Sequence, residues 1–525
     1  MKKFAHSCFQ FCESIIKYIA LLPLAFLFVA SLRYQNTISF DIFETSILVP
    51  NGTSFILSAI LSFGALYALT RLFKYISDTC LFVALSTIYL IIGIYILTNM
   101  TTIPRHDSGI CYWNALNYVQ GNYTNLQFGE YFYKWPHQLG LVSYNCLLVS
   151  ISEDINIIYF TNLIYIIFTN YFIWRCVKLF NKENSLINKL TILLTFAFLP
   201  QFFYFIFPYG QTPGLFFLTG CLYFAIRFIR DDCKWSFIPC LIFIAIACIL
   251  GMNYAIGGVA LSIILFMYFC KSLKARYLLF IPGILISMIL PGKLIISHYE
   301  QIADIDLSNG MPSILYVAMG LQENEEPGAD WRANGWFNSF SSDTYIANNC
   351  DVDVCSQIAW DSIRDRAHTF ISKPDYAWDF FKEKIITTWC EPTYQSIWSG
   401  PLLVFGSTTD VPILQELYTG GPIFSYLSSA MNIFIVMIFG FSFWYILMRT
   451  FIRKEPLNIY ELFAILFFLG GFIFHMFWET KSRYVYFYVI MLIPLACCGI
   501  QQAFLFMDDV IHKLKSKTKN LRNNF

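Results

Sequence analysis

Long apolar runs separated by short polar connections dominate this chain. Twelve of them lie at about 15–32, 54–72, 80–100, 155–174, 190–207, 213–228, 237–252, 255–269, 277–297, 424–448, 460–477 and 484–506. Crossing about 30 Å of hydrocarbon takes roughly 20 helical residues, and most of these runs are near that length. Lipid offers no partners to backbone amides, so such runs are helical. The pattern predicts an all-α polytopic membrane protein with about twelve transmembrane helices. A further run, 138–152, follows Pro136 and is short for a span.

Charge sets the orientation. Lys2/Lys3, Arg71/Lys74, Arg175/Lys178/Lys182/Lys189, Arg227/Arg230/Lys234, Lys271/Lys274/Arg276, Arg449/Arg453/Lys454 and Lys513/Lys515/Lys517/Lys519/Arg522 fall in every second connection. The positive-inside rule places them all in the cytoplasm, and both termini with them. Counting 138–152 as a span would invert every later connection, so it is read as a helix lying on the outer face. The chain then divides into N-terminal spans (1–100), a first external loop (101–154), central spans (155–297), a large external loop (298–422), C-terminal spans (423–506) and a basic cytoplasmic tail (507–525). Glu13 and the lack of a small-residue cleavage site mark the first run as a retained span.

Composition narrows the function. Charged residues make up 13% of the chain against roughly 25% in soluble domains, which excludes an ordinary soluble enzyme. A net charge of +1 and the absence of any binding motif give no sign of a nucleic-acid partner. Most of the 16 cysteines sit inside apolar runs, where a thiol is a small hydrophobe. Cys350 and Cys355 lie in a polar external turn, where oxidation is permitted, and are expected to pair. Neither zinc-type cysteine spacing nor a glycine-rich phosphate loop is present.

Chemistry concentrates outside. Asp107 follows the third run, and Ile110, Trp113 and Leu116 recur after it at the spacing of a membrane-surface helix. There the aspartate is either a helix cap or a base for an acceptor hydroxyl at the interface. The last external turn, FWETKSRY at 477–484, carries Lys481 and Arg483 beside Glu479. Two cations there are either snorkelling ion-pair partners or a phosphate site, for which arginine's planar fork is suited. The turn PYGQTP at 208–213 offers Tyr209 and Gln211, as sugar contacts or as a plain interhelix turn. His106, His137 and His475, with Glu130, show no metal-ligand spacing, and structural hydrogen bonding is their ordinary role. The large loop is rich in tryptophan, carries a helix at about 356–370, and serves equally as a lid over sugar or as an anchor to lipid.

Asp107 after a span, a helix ending near Gly121, the stretch YFYKWPHQLG at 131–140 and a short apolar helix before the next span resemble the first external loop of the GT-C superfamily of glycosyltransferases. The turn at 477–484 resembles the E…RY motif ahead of the final span in many bacterial members, related to the protein mannosyltransferase and aminoarabinose transferase type. The resemblance implies a GT-C-like fold and a polyprenyl-phosphate sugar donor. It implies a catalytic Asp107, donor phosphate held by Arg483 and Lys481, and substrate contacts from Glu130, Tyr131, His137, Gln138, Tyr209, Gln211, Glu479 and Tyr484. In oligosaccharyltransferases the turn matching 208–213 carries acidic metal ligands, and here it has none. That departure leaves a divalent metal possible but unsupported, and no cofactor is required. The partners implied are the lipid-linked sugar, a glycan, lipid or protein acceptor, and the bilayer.

The expected reaction is an inverting transfer to a cell-envelope or surface acceptor on the outer face. The rival is a transporter or flippase of lipid-linked sugars or other solutes. Transporters place ionisable groups near the midplane, whereas here the charges concentrate in loops.

Overall fold

The computed structural model describes residues 2–40, 44–324 and 333–523. Residues 325–332, within the aromatic stretch of the long segment 298–422, lie outside the described residues. Among the described residues ten helices are long and apolar enough to cross a membrane, so the chain is a multi-pass, mostly helical membrane protein.

The two remaining runs depart from straight spans. The run at 190–207 is a pair, Ser185–Ala197 and Leu199–Ile206, bent by 50°. Pro200 occupies the first turn of the second piece, where its missing N–H costs nothing, and it cannot continue the first. The run at 237–252 is a shorter apolar helix, Lys234–Leu250. The final helix, Tyr486–Asn523, runs on from its apolar part through the basic tail. Local caps fix several starts. Ser77 Oγ accepts from Cys80 N at 3.1 Å, and Asn458 and Glu461 form a reciprocal capping box.

The core gathers around Ile459–Phe477, packed against Ala255–Ser272 and the first helix, and around the apolar half of Tyr486–Asn523, packed against Pro422–Leu447 and Ser185–Ala197. Thr53–Thr70 and Ala275–Ala303 instead expose most of their apolar side chains. Such faces suit lipid, which is as apolar as they are.

Contacts between connections fall into two sets. Arg71 pairs with Asp508, Lys178 with Asp78 at 3.2 Å, Arg276 with Asp232, and Leu457 N donates to Glu13 at 2.8 Å. These residues all belong to, or border, the basic connections. In the other set Asn36 N donates to Cys390 O at 3.1 Å, and Thr101 bridges Thr408. Met311 N donates to Lys134 O at 3.0 Å.

The second set is more structured than the sequence suggests. A two-stranded antiparallel hairpin, Tyr34–Ile38 with Ser46–Pro50, follows the first helix, a small exception to the all-α expectation. The long segment 298–422 holds helices Ile314–Gly320, Phe340–Ala347, Val352–Ser372, Pro374–Trp389 and Pro412–Tyr418. The run at 138–152 contains an 11-residue helix, Leu139–Val149, packed against His106–Val119.

The expected Cys350–Cys355 disulfide is not formed, and both thiols are free and buried. Asp351 caps the helix Val352–Ser372, accepting from Asp353 N and Val354 N. That cap draws Cys355 into the first helical turn, where its Sγ faces Thr344 O at 3.7 Å. Cys350 stays outside, in a left-handed conformation with φ 60°.

Candidate active site

The segment after Thr101 sets the first wall. Arg105 is extended and His106 turns left-handed at φ 52°, which starts the helix His106–Val119 with Asp107 in its first turn. Cys111, Tyr112, Ala115 and Tyr118 form its buried face, and Trp113 is half exposed on the other. Arg105 holds the cap position, and no side chain caps this helix. Asp107 is therefore not the cap. Its carboxylate, 44% exposed, stands 3.9 Å from Arg483 Nη2.

The turn after Phe477 supplies the opposite wall. Gly320 lets it approach, since a Cβ there would meet Phe477 O at 2.5 Å and Trp478 C at 2.4 Å. Lys384, fully buried, donates to Gly320 O and to Trp478 O, the latter at 2.9 Å, and ties helix and turn together. Burial pushes its ammonium down to about 7, against the pull of Glu479. Arg483 is 9% exposed. Its Nη2 lies 3.3 Å from Tyr484 Oη, and its Nε has no partner. A buried guanidinium with an unused donor beside a loose carboxylate contact retains capacity for an anion. Burial disfavours its charge, but Tyr484, Glu44 and Asp107 outweigh burial and hold its pKa well up.

A small cleft opens between these walls, lined by residues 105–108, by Phe207 and Tyr209, by Trp398 and Ser399, and by Arg483. Arg105 is stacked between Trp398 and Phe405, at 4.2 and 4.5 Å from the ring centroids, and donates to Trp398 O. Burial pushes it down to about 10, so it stays charged at neutral pH. His106 stacks on the same indole and is held below its ordinary value by burial and by Arg105.

Around this pocket the residues singled out in the sequence divide. Tyr209 lines it and accepts a hydrogen bond from Gln138 Nε2. Burial and then Asp107 push the Tyr131 phenol well up, which places Tyr131 beside that carboxylate. Tyr484 sits against Arg483. Glu479 is buried with Oε1 unpartnered, and burial pushes it up to about 7 against Lys481 and Arg483. His137 is exposed to solvent on the turn Pro136–Gln138 and does not line the pocket.

Other residues do not join. Glu130 is exposed and makes no ion pair among the described residues. Gln211 begins the helix Gln211–Arg230 with its side chain turned inward and its Oε1 unpartnered, away from the pocket lining. Lys481 bonds Glu44. His475 is buried against Thr480 Oγ1 at 3.1 Å. Among the described residues no three His, Cys, Asp or Glu side chains are arranged to hold a metal ion.

Sequence reasoning missed Glu44, Arg105, Glu391, Gln395 and Trp398. One signal was available for two of them. Glu391 and Gln395 lie in TTWCEPTYQSIW, where Glu391 is the one charged residue and an unpaired carboxylate is costly to bury. The sequence matches no protein-family model and no curated protein.

Proposed function

We propose that the chain is a membrane glycosyltransferase that moves a sugar from a polyprenyl-phosphate donor to an acceptor hydroxyl at the outer face. The observation that supports this most is the placement of Asp107 and Arg483, 3.9 Å apart on facing walls of one pocket and drawn from distant parts of the chain. One group takes a proton, and the other binds a phosphate.

In the reaction the acceptor oxygen attacks the anomeric carbon from the face opposite the phosphate. The bond to the phosphate oxygen breaks, its electron pair leaves with the lipid phosphate, and the sugar inverts. Asp107 orients the acceptor hydroxyl and takes its proton. Arg483 offsets charge on the leaving phosphate, and its unpartnered Nε is available for that contact. Arg105 adds a fixed positive charge to the same pocket. Lys481 is committed to Glu44 and acts through the fold of the turn. Tyr131, Gln138, Tyr209 and Tyr484 surround the site and suit contacts to sugar hydroxyls.

Orientation is part of the proposal. The pocket belongs to the connections that lack the basic clusters, which the positive-inside rule puts outside, with both termini in the cytoplasm. Purified protein given a radiolabelled polyprenyl-phosphate sugar and cell-envelope glycan tests the activity. Transfer of label with release of polyprenyl phosphate supports it. Movement of intact lipid-linked sugar across vesicles without bond cleavage favours a flippase and overturns it.

A further inference from the structure

The turn that carries Arg483 is held by a buried polar brace. Lys481 Nζ bonds one oxygen of Glu44, and Gln395 Nε2 donates to the other at 2.6 Å. The same Gln395 accepts from Arg483 N through its Oε1 at 3.4 Å. Glu391 secures the next layer. It accepts from Thr393 N at 2.9 Å, from Thr393 Oγ1 at 2.6 Å, from Ser482 Oγ at 3.1 Å and from Gln395 N. Asn36 fixes the hairpin that presents Glu44, donating to Cys390 O and to Thr387 O. Three separated segments thus meet at one turn.

We propose that Glu44 is a positioning residue: its carboxylate takes up the Lys481 charge and, through Gln395, sets the main chain of Arg483, so that Arg483 and not Lys481 meets an anionic phosphate. This rests on the phosphate-binding reading of the pocket. Charge bookkeeping supports it. Lys481 is 8% exposed and Glu44 neutralises it, which leaves Arg105, Arg483 and Asp107 as the charged groups lining the pocket. Burial raises Glu44, but Lys481 and Arg483 outweigh it and keep the carboxylate ionised. Breaking one side of a buried pair strands a charge, whereas neutralising both sides does not.

The test is a double-mutant cycle in the full-length protein with Glu44→Gln, Lys481→Met and the pair, read by thermal unfolding and by the Kd for undecaprenyl phosphate in micelles. Each single variant is expected to bind about 10-fold more weakly or worse, and the pair to return to within about 3-fold of wild type. Gln395→Ala is expected to weaken binding while the Lys481–Glu44 coupling in the unfolding midpoint persists. A pair that binds as poorly as Lys481→Met alone overturns the proposal, because Lys481 would then touch the phosphate. Wild-type protein that binds no undecaprenyl phosphate removes the phosphate reading and the positioning role with it. Additive unfolding shifts instead overturn the brace alone.

Discussion

Arg483 Nη2 and Asp107 Oδ2 stand 3.9 Å apart, one on a buried side chain and the other on a carboxylate that solvent reaches. The separation exceeds a hydrogen bond, so the two attract without closing on each other. A ligand's phosphate can displace that loose attraction and leave the carboxylate available to a hydroxyl. The burial of one partner also matters, because a guanidinium taken out of water interacts more strongly with what enters the pocket.

Arg483→Lys keeps the charge and loses the fork. Donor affinity and turnover should both fall, by about 10-fold or more, because a point charge cannot reproduce bidentate contact with phosphate. Steady-state kinetics with a polyprenyl-phosphate sugar measure this. A lysine variant with unchanged KM and kcat would show that geometry at this position is irrelevant.

Glu479 makes stability depend on pH. Its folded value of about 7 lies above the reference value of 4.5, so the native state keeps a proton that the unfolded chain releases between these values. Its contribution is fully present below about pH 4.5 and is lost as pH rises through 7. Glu479→Gln keeps the neutral shape and should shallow the fall in unfolding midpoint between pH 5 and 8. Parallel pH profiles for variant and wild type would contradict this.

Orientation is checked by labelling single cysteines in a background without accessible native thiols. Asp410→Cys, on the exposed segment beside the Thr101–Thr408 bridge, should react with an impermeant reagent from outside. Ser516→Cys, in the terminal helix, should react only after the membrane is opened. The reverse pattern would invert the topology.

The sequence makes the spans legible because lipid imposes length and apolarity on each helix independently of its neighbours. The bend at Pro200 was less so, since the apolar run continues through it unbroken. Asp107 and Arg483 stand out as charges at the edges of apolar runs. Glu44 does not, because its meaning lies in a contact with Lys481 from the other end of the chain. The failed Cys350–Cys355 pairing has the same origin. A polar turn where oxidation is permitted suggested a bond, but the cap at Asp351 placed Cys355 in the helix and left Cys350 outside it.

Asp107→Asn tests the central claim most directly, because it keeps the size of the side chain and removes the base. Sugar transfer from a polyprenyl-phosphate donor, measured on folded protein, should fall by roughly 10²-fold or more while binding of undecaprenyl phosphate persists. Transfer near the wild-type rate by Asp107→Asn would contradict the catalytic assignment.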